Sequence, residues 1–434
     1  MQSHALLEEL AWRGLLFQHT EGIGAALSSS TVTGYCGFDP TASSLHVGSL
    51  VPIMGLVHLQ RAGHRPLALV GGGTGLIGDP SFKANERSML TLDQVEENAR
   101  GIRAQLEHFL DFEGDAAAGR QGALMRNNAD WLVPLRAIEF MRDVGKHFTV
   151  NYMMAKESVK ARIETGISYT EFSYMLLQAY DFLELHRREG VTLQVGGSDQ
   201  WGNMTAGMEL IRRTSGGETH VITFPLVAKA DGTKFGKTEA GTVWLDPART
   251  SPYRFYQFWL NTEDRDVGKY LRYFTLFARG EVEALDREVA EHPERRAAQR
   301  ELARDVTRRV HGDAAVRAAE EVAAFFFGGA DPATLSEEAF AVLRAEAPFA
   351  EAAASELAGE SEVTFDVLKL LTTSGLAPSN GAARRLLEQG GVSVNKKKLG
   401  GTDRFVPAGE SLLAGGHLIV GKGKRDYAVL RVRS

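Results

Sequence analysis

Two apolar, β-rich stretches separated by a helical pattern constrain the fold of this 434-residue chain more than any other feature. The first, TVTGYCGFD at 31–39, runs into Asp-Pro, and the second, RPLALVGGG at 65–73, ends in glycines. Between them, LHVGSLVPIMGLVHLQRAG carries apolar residues at helical spacing and stops at Gly63. Strand, helix and strand at this spacing form a βαβ unit, which implies a parallel sheet.

Glycine-rich and polar turns follow the strands of this predicted sheet. VTLQVGGSDQWGN, at 191–203, is a further strand that runs into such a turn. Ligands of open α/β sheets bind at the carboxyl ends of the strands. We therefore expect the functional site where the turns 39–49, 71–81 and 196–203 meet.

Composition is that of an ordinary globular protein, with 44% apolar and 24% charged residues. The single cysteine, Cys36, excludes an internal disulfide framework and a cysteine-based zinc site. A reducing, cytoplasmic location fits this cysteine usage. The N-terminal stretch carries acids and no continuous apolar run, so we expect no signal peptide. No uncharged apolar run reaches 18 residues, so we expect no membrane-spanning helix.

Charge is unevenly distributed along the chain, whose net charge is −6. Residues 363–434 carry twelve Lys and Arg against five Asp and Glu, so the remainder is strongly acidic. A basic tail on an acidic body indicates a polyanionic partner, although a solvated basic face is the commoner cause of such a bias. The pattern predicts a first domain at 1–248, a helical domain at 249–330, an acidic linker at 331–362 and a basic domain at 363–434.

Two glycine-rich motifs suggest nucleotide chemistry, but each departs from its template. DGTKFGKT, at 231–238, ends like a phosphate-binding P-loop, yet its first glycine lies one residue too close to the second. GTGLIG, at 73–78, has the glycine spacing of a dinucleotide site. Asp79 and a proline follow it directly, and a residue before a proline is pushed out of helical geometry. We therefore interpret its glycines as close-approach turns that present Asp79 to a pocket.

Two polar segments offer groups that could bind a ligand. HVGS, at 46–49, begins the predicted helix, where free N–H groups and the helix dipole suit a phosphate. Helix capping is the commoner role for a histidine there. On the helix predicted at 169–185, Tyr174, Gln178 and Asp181 lie at i, i+4 and i+7. Such a polar stripe usually faces solvent, but on this apolar segment it can also line a polar-walled pocket.

Together, the motifs YCGFDPTASSLHVGSL, GLIGDPS, TEFSYMLLQAYDF, GGSDQWGN and KADGTKFGKT resemble the bacterial tyrosyl-tRNA synthetases, a class I family. The resemblance extends over nearly the whole chain. HVGS takes the place of the class signature His-x-Gly-His, and KFGKT that of the lysine-rich mobile loop.

The resemblance implies two-step aminoacylation, in which the tyrosine carboxylate attacks the α-phosphorus of ATP and the tyrosyl group then passes to tRNA. The implied partners are L-tyrosine, ATP with Mg²⁺ on its phosphates and tRNA(Tyr), with no metal held by the protein and no membrane. Family members are usually homodimers, with the interface around 134–150.

The site residues of the family carry over onto matching positions of this sequence. Tyr35 and Asp181 resemble the pair that hydrogen-bonds the phenol of the substrate. Asp79, Tyr174 and Gln178 resemble the groups that hold the α-ammonium, Gln200 the partner of the carboxylate and Asp199 the partner of the ribose. ATP contacts are expected from Asp39, Thr41, His46, Gly48, Ser49 and Lys83 or Arg87, with catalytic roles for Thr41 and His46. The mobile loop is expected to contact the triphosphate through Lys229, Lys234, Lys237 and Thr238, with Lys234 and Lys237 catalytic.

Ser49 departs from the family pattern, because the class signature usually ends in histidine. A serine hydroxyl can still bond to ATP, but it is shorter and uncharged. Asn128 and Trp131, in NNADW, match a family segment beside the tyrosine pocket, without a fixed role.

The tail segment APSNGAARRLLEQGGVSVNKKKL, at 377–399, resembles a small RNA-binding domain with the alpha-L motif, which is also found in a ribosomal protein. The RNA-binding residues implied are Arg384, Arg385, Lys396, Lys397 and Lys398. The fold class expected is thus α/β, with a Rossmann-like parallel-sheet catalytic domain, an α-helical domain and a small α+β RNA-binding domain.

Two alternatives belong to other functional classes. The chain could be an RNA-binding paralogue that has lost catalysis, although the set Asp79, Asp181, Asp199, Lys234 and Lys237 favours an enzyme. It could also be a tryptophanyl synthetase or another adenylate-forming transferase. The pair Tyr35 and Asp181 favours a phenol over an indole, because the carboxylate requires a hydrogen-bond donor at that depth of the pocket.

Overall fold

The computed structural model describes most of the chain. The described residues are 4–79, 90–115, 119, 121–156, 159–160, 166–233, 235–238, 241–327, 329–361, 363–423 and 426–433. They form two compact units, of which the first combines Met1–Arg249 with Leu260–Leu302 and the second combines Thr250–Trp259 with Ala303–Ser434. No helix within these ranges is long and apolar enough to cross a membrane.

The first unit is built on a six-stranded sheet. Its strands are β1 (Gln18–His19), β2 (Thr33–Phe38), β3 (Arg65–Val70), β4 (Leu124–Asn127), β5 (Leu193–Gly197) and β6 (His220–Phe224). The order across the sheet is β1-β6-β5-β2-β3-β4, with β2 to β6 parallel and β1 antiparallel at the edge. The chain moves outward from β2 to β4 on one side and from β5 to β6 on the other. A crevice therefore opens at the carboxyl ends of β2 and β5, where ligands of such sheets bind.

Helices make up most of the remaining regular structure as far as residue 327. Up to residue 215 they are α1 (His4–Trp12), α2 (Ile23–Ser29), α3 (Leu50–Arg61), α4 (Leu92–Leu106), α5 (Ala129–Leu132), α6 (Ala137–Asp143), α7 (Val150–Met154), α8 (Tyr169–Glu189) and α9 (Trp201–Ser215). The next four are α10 (Pro252–Leu260), α11 (Asp264–Phe274), α12 (Arg279–Glu291) and α13 (Ala297–Phe327). A short hairpin of β7 (Lys237–Thr238) and β8 (Gly241–Thr242) lies between α9 and α10 in the sequence.

Local sequence signals set the ends of the helices that matter for the site. Thr91 and Gln94 form a capping box at the start of α4, each side chain accepting from the other residue's backbone N–H. At the start of α8, the Ser168 side chain accepts the backbone N–H of Glu171, and Gly190, with a φ of 64°, ends the helix. Gly55 lets α3 lie against β6, because a Cβ there would sit 2.1 Å from the Phe224 ring. The sheet and these helices confirm the predicted parallel α/β fold.

The second unit contains the C-terminal α+β module. Its helices after α13 are α14 (Glu337–Glu346), α15 (Ala354–Leu357), α16 (Val367–Thr373), α17 (Asn380–Glu388) and α18 (Ala408–Ser411). A five-stranded sheet runs in the order β12-β11-β14-β15-β9, from β9 (Phe349–Ala353), β11 (Val392–Val394), β12 (Lys397–Lys398), β14 (His417–Lys422) and β15 (Asp426–Arg433). A separate pair joins β10 (Thr364–Asp366) to β13 (Phe405–Pro407). One apolar core, which includes Leu370, Leu387 and Leu430, lies between these helices and the sheet.

The acidic stretch 331–362, expected to be a linker, contributes regular structure to this module. It contains α14, β9 and α15, and β9 pairs in parallel with β15 from Phe349 opposite Val429 to Ala353 opposite Arg433. Phe340 on α14 stacks on the imidazole of His417 at the start of β14, with ring centroids 4.5 Å apart. The basic module therefore includes residues before 363.

Candidate active site

A cavity of about 260 Å³ lies at the crevice between β2 and β5. Its walls come from the ends of β2, β3 and β5, from α8 and from the turns that follow the strands. The polar residues that line it are Tyr35, Asp39, Thr41, Thr74, Asp79, Asn128, Tyr174, Gln178, Asp181, Gln194 and Gln200. The predicted polar stripe of α8 therefore faces a pocket and not bulk solvent.

Asp181 is held rigidly within this cavity by two donors. The Asn128 amide Nδ2 donates to Oδ2 of Asp181 at 2.9 Å, and the Trp131 indole N–H donates to Oδ1 at 2.8 Å. Burial raises the pKa of the Asp181 carboxyl to about 7, while the two hydrogen bonds oppose that rise. The side chain is only 2% exposed. It is a buried carboxylate whose orientation is fixed before any ligand arrives.

Tyr35 and Gln194 bring further polar atoms into the same pocket. They face each other in the β2–β5 register, so their side chains lie side by side on one face of the sheet. Among the described residues, neither the Tyr35 hydroxyl nor Oε1 of Gln194 has a hydrogen-bond partner, although both atoms are buried. Buried polar groups are normally satisfied, so these two atoms indicate a ligand with its own polar group at this depth.

A chain of hydrogen bonds runs from Asp181 to Tyr174 across the pocket. Asn128 also donates to Oγ1 of Thr74 at 3.0 Å, and Thr74 donates to Oδ1 of Asp39 at 2.8 Å. The Tyr174 hydroxyl donates to the other oxygen of Asp39 at 2.9 Å. Burial, followed by the charges of Asp39 and Asp79, raises the pKa of Tyr174 well above its ordinary value, so the hydroxyl stays protonated. The network fixes two carboxylates and one phenol relative to each other.

A second group of side chains orders the other wall. Nε2 of Gln200 donates to Oδ2 of Asp79 at 2.7 Å. Nδ2 of Asn203 donates to Oε1 of Gln178 at 3.0 Å and to Oε1 of Gln200 at 3.2 Å. Asp79, Asp39 and Tyr174 thus surround the pocket with carboxylate and phenol oxygens, an arrangement suited to an ammonium group.

Asp199 and Cys36 lie where this pocket meets the turn after β5. Burial raises the pKa of Asp199, and the charge of Asp79 adds to the rise. Burial also raises the pKa of the Cys36 thiol to about 12, with Asp199 adding to it, so the thiol stays protonated at neutral pH. Burial and a raised pKa are typical of a structural cysteine. Gly197 leaves room for Asp199, because a Cβ there would lie 2.4 Å from Oδ1 of Asp199.

HVGS forms the turn that leads into α3, as the sequence predicted. Nδ1 of His46 accepts the backbone N–H of Gly48 at 3.0 Å, which places the proton of the neutral ring on Nε2. Partial burial and the ammonium of Lys237 lower the pKa of His46, so the ring is neutral at pH 7. A Cβ at Gly48 would lie 2.8 Å from the imidazole, so a larger residue there would require the ring of His46 to shift. Ser49 follows at the end of this short turn.

The segment KADGTKFGKT, at 229–238, is the lysine loop, and it is anchored at two points. Near its start, the backbone N–H of Ala230 donates to both carboxylate oxygens of Asp266 on α11 at 3.1 Å. Phe235 stacks on Phe274 of the same helix at a centroid distance of 5.3 Å. Lys237 and Thr238 follow on the exposed strand β7, and Lys229 is half-buried. The predicted Lys234, Lys83 and Arg87 lie outside the described residues.

The predicted residues fall into two groups in the structure. Tyr35, Asp39, Thr41, Asp79, Tyr174, Gln178, Asp181 and Gln200 line the cavity together. His46, Gly48, Ser49, Asp199, Lys229, Lys237 and Thr238 are not among the residues that line it. The sequence motifs do not indicate Thr74 and Asn203, which complete the polar network, or Gln194, which lines the cavity beside Tyr35. Thr74 lies within GTGLIG, a motif that predicts close-approach turns and gives no role to its side chains. The alternation of side chains along β5 is the signal that indicates Gln194.

The residues predicted to bind RNA are partly brought together on the C-terminal module. Arg384 and Arg385 are exposed on α17, and Lys397 and Lys398 are exposed on β12. Lys396 differs from its neighbours, because its ammonium donates to the backbone carbonyl of Phe325 and lies 4.1 Å from the centre of the Phe325 ring. In the part of the chain that the structure describes, no group of three or more His, Cys, Asp or Glu could hold a metal ion.

Comparison with known families agrees with this arrangement of sheet, pocket and tail. The family described as "tRNA synthetases class I (W and Y)" matches residues 28–328, and the "Tyrosine--tRNA ligase SYY-like C-terminal domain" matches 349–430. The chain belongs to the class I tRNA synthetases of the W and Y family. Within that family its full-length relatives are tyrosine--tRNA ligases, so the resemblance seen in the motifs is confirmed.

Two relatives illustrate the extent of the match. The tyrosine--tRNA ligase of Anaeromyxobacter dehalogenans (strain 2CP-1) is 53% identical over 428 residues, 99% of each chain. That of Geobacillus stearothermophilus is 51% identical over 429 residues, 98% of this chain and 99% of the relative. Among solved structures, a C-terminally truncated mitochondrial tyrosyl-tRNA synthetase of Aspergillus nidulans has a TM-score of 0.66 at 28% identity. It aligns over 74% of this chain and 94% of its own.

Proposed function

We propose that this protein is a tyrosine–tRNA ligase, which activates L-tyrosine with ATP and transfers it to the 3′ end of tRNA(Tyr). The observation that carries the proposal is the buried carboxylate of Asp181, fixed by Asn128 and Trp131 in the same pocket as the Tyr35 hydroxyl. A phenolic O–H donates to the carboxylate and accepts from the Tyr35 hydroxyl. Phenylalanine offers no polar group and would leave Asp181 buried without a ligand donor, which is costly.

The amino-acid end of the substrate lies towards the other pocket wall. Its α-ammonium is held by Asp79, Tyr174 and Gln178, and its carboxylate lies near Gln200. The bond from Gln200 to Asp79 and the bonds from Asn203 to Gln178 and Gln200 support this assignment, because they fix the groups before the ligand binds. Preorganised groups lose little freedom on binding, and they orient the substrate carboxylate for attack.

Adenylate formation is an in-line displacement at the α-phosphorus of ATP. An oxygen of the tyrosine carboxylate forms the new bond to phosphorus, while the bond to the bridging oxygen breaks and pyrophosphate leaves with its electron pair. Mg²⁺ arrives on the phosphates as part of the nucleotide substrate. The protein supplies position and charge, and no side chain becomes covalently modified.

Hydrogen-bond donors come from HVGS, and positive charge comes from the lysine loop. Neutral His46 donates from Nε2 to a phosphate oxygen, a role supported by the bond that Nδ1 accepts from Gly48. Thr41 and Ser49 add hydroxyls, and Gly48 exposes its backbone at the start of α3. Lys229, Lys234, Lys237 and Thr238 neutralise the leaving pyrophosphate. Asp199 holds the ribose.

Transfer to tRNA uses the basic C-terminal module. Arg384, Arg385, Lys397 and Lys398 present exposed positive charge, which suits an RNA backbone. We assign the cytoplasm as the location, because that is where protein synthesis takes place and where a free cysteine persists.

We also propose that the protein is a homodimer through the surface around 134–150. Exposed apolar side chains concentrate there, namely Val133, Ile138, Met141, Val150 and Met154, with 74% of Ile138 exposed. A set of large exposed apolar side chains this close in the sequence marks an interaction surface.

The proposal is tested by ATP–pyrophosphate exchange stimulated by each of the twenty amino acids in turn. Tyrosine alone is expected to stimulate exchange. Stimulation by tryptophan and not tyrosine would identify a different synthetase, and the absence of any stimulation would identify an inactive RNA-binding paralogue. Asp181→Ala is expected to abolish tyrosine-dependent exchange with the fold retained. Normal exchange by this variant would contradict the pocket assignment.

A further inference from the structure

We propose that Trp244 is a positioning residue for adenylate formation, because it holds the imidazole of His46 in the orientation that reaches the phosphates. The inference rests on the proposed function, since it acts through the role given to His46. Trp244 lies in TVWLDP, directly after the lysine loop, in a segment to which no other role is assigned here.

The first observation is a short antiparallel ladder between the HVGS turn and this segment. The backbone N–H of Val47 donates to the carbonyl of Val243 at 3.0 Å, and that of Leu245 donates to the carbonyl of Leu45 at 2.9 Å. His46 and Trp244 therefore face each other as a directly opposed pair between these two bonds. In such a non-hydrogen-bonded pair the two side chains are closest and share one face of the ladder.

The second observation is the contact between the two rings. The imidazole of His46 and the indole of Trp244 meet edge to face, with centroids 6.2 Å apart and planes 67° apart. On the other side of the imidazole, the backbone N–H of Gly48 bonds to Nδ1, and even one methyl group at Gly48 would collide with the ring. The ring thus has a hydrogen bond on one side and an aromatic wall on the other.

The third observation is that the indole is itself held in place. The guanidinium of Arg249 lies 3.6 Å from the centre of the Trp244 ring. Arg249 reaches it through a tight turn, in which its backbone N–H donates to the carbonyl of Asp246 at 3.0 Å. The N–H of Asp246 in turn donates to Oγ of Ser44 at 3.1 Å, just before the HVGS turn. Trp244 is therefore a fixed wall and not a mobile surface side chain.

The same segment joins His46 to the lysine loop. The backbone N–H of Val243 donates to the carbonyl of Gly236 at 3.0 Å, within KFGKT. A Cβ at Gly236 would lie 2.7 Å from the side chain of Val47, so the loop and the HVGS turn are in close contact. The two groups expected to contact phosphate are thus aligned by one stretch of backbone, with Trp244 next to the histidine.

The experiment is a double-mutant cycle on tyrosine-dependent ATP–pyrophosphate exchange. It uses the full chain with Trp244→Leu, Trp244→Phe, His46→Ala and the double variant Trp244→Leu/His46→Ala. We expect Trp244→Leu to lower kcat about tenfold, the equivalent of weakening one charge-assisted hydrogen bond. KM for tyrosine should stay unchanged, because the tyrosine pocket is not altered. Trp244→Phe should restore most of the rate, since a ring again faces the imidazole.

The decisive comparison is made in the background that lacks the histidine. If Trp244 acts through His46, adding Trp244→Leu to His46→Ala lowers kcat by less than about twofold. A further tenfold loss in that background overturns the inference and shows a role independent of His46. A loss in Trp244→Leu that appears in KM for tyrosine, or that Trp244→Phe does not relieve, overturns it as well.

Two controls separate this inference from folding and from the proposed function. Trp12→Leu removes a half-buried tryptophan of α1 and should leave exchange unchanged. Thermal unfolding of each variant identifies a loss of fold, and Trp244→Phe keeps the comparison valid if Trp244→Leu is unstable. Absence of exchange in the unaltered protein contradicts the proposed function, whereas normal exchange with an unaffected Trp244→Leu contradicts only the inference.

Discussion

Trp131 donates its indole N–H to Oδ1 of Asp181 at 2.8 Å, and Asn128 occupies the other oxygen of the same carboxylate. The bond joins α5 to α8 through two residues that lie 50 positions apart in the sequence. Neither donor need touch the substrate, yet together they decide where the carboxylate points and how readily it carries charge.

Trp131→Phe is expected to weaken tyrosine binding without removing any predicted tyrosine contact. The phenyl ring keeps most of the packing but cannot donate, so Asp181 loses about 1 to 3 kcal/mol of stabilisation of its charged form. The pKa of Asp181 should therefore rise further, and tyrosine affinity at pH 7 should fall. Equilibrium dialysis with tyrosine from pH 6 to 9 measures both effects. Trp201→Phe, at the start of α9, is the matched control and should bind tyrosine normally.

Asp181→Asn is expected to change how stability depends on pH. The folded pKa of Asp181, about 7, lies above its unfolded value, so its contribution to stability is greatest below pH 4 and is lost as the pH rises through 7. Asparagine does not titrate, so the variant should gain stability relative to the original protein by about 3 kcal/mol between pH 5 and pH 8. Urea unfolding without ligand at both pH values measures this difference. An equal difference in the free energy of unfolding between the variant and the original protein at both pH values would show that burial does not raise the pKa of Asp181.

Lys237→Ala is expected to slow adenylate formation by at least about tenfold while tyrosine affinity stays the same. Lys237 lies on the exposed strand β7, outside the tyrosine pocket, so its charge is expected to act on the departing pyrophosphate. Single-turnover adenylate formation and tyrosine dialysis, performed side by side, separate the two quantities. Arg100→Ala, an exposed basic residue on α4, serves as the control. Parallel losses in rate and in tyrosine affinity would count against a role confined to the transition state.

A protein that stops at Ala347 is expected to form tyrosyl-adenylate but to charge tRNA poorly. It keeps the six-stranded sheet, the pocket and α14, and it loses β9 together with the basic residues after 363. Exchange and charging are measured on the same preparation. Full charging by the shortened chain would show that the C-terminal module does not bind tRNA.

Lys397→Ala/Lys398→Ala is expected to weaken tRNA binding and to reduce the slope of log affinity against log salt by about 2. Both side chains are exposed on β12, where each can neutralise one phosphate. Lys396→Ala should change the slope less, because its ammonium already contacts Phe325. Filter binding at several salt concentrations gives the slopes, and exchange should be unaffected. Equal slopes for all three proteins would assign the charge to a solvated face.

Much of the pocket could be predicted because its residues follow local rules. The i, i+4, i+7 spacing of Tyr174, Gln178 and Asp181 places them on one helix face, and the glycine turn after β3 presents Asp79. The parallel sheet followed from two apolar strands with a helix between them. Each of these signals lies within one helix, one turn or one βαβ unit, the longest of which spans residues 31–73.

The remaining features depend on partners that are distant in the sequence. Nothing local indicates that Asn203 bridges Gln178 and Gln200, or that Thr74 joins Asn128 to Asp39. The alanine-rich, acidic composition of 331–362 resembles a linker, because alanine and glutamate are poor strand formers. β9 forms there because β15 provides a ladder of backbone hydrogen bonds, which composition does not reveal.

That pairing determines where the C-terminal module can be separated from the rest of the chain. A fragment that begins at residue 363 would lack β9, so β15 would become an unpaired edge strand over five consecutive positions, from Val429 to Arg433. The unpaired N–H and C=O groups of such an edge strand can pair with a strand of another molecule, so we expect this fragment to associate with itself. A fragment that begins at Ala347 keeps β9 paired with β15, so these five positions retain their backbone partners and the fragment should associate with itself less than the shorter one.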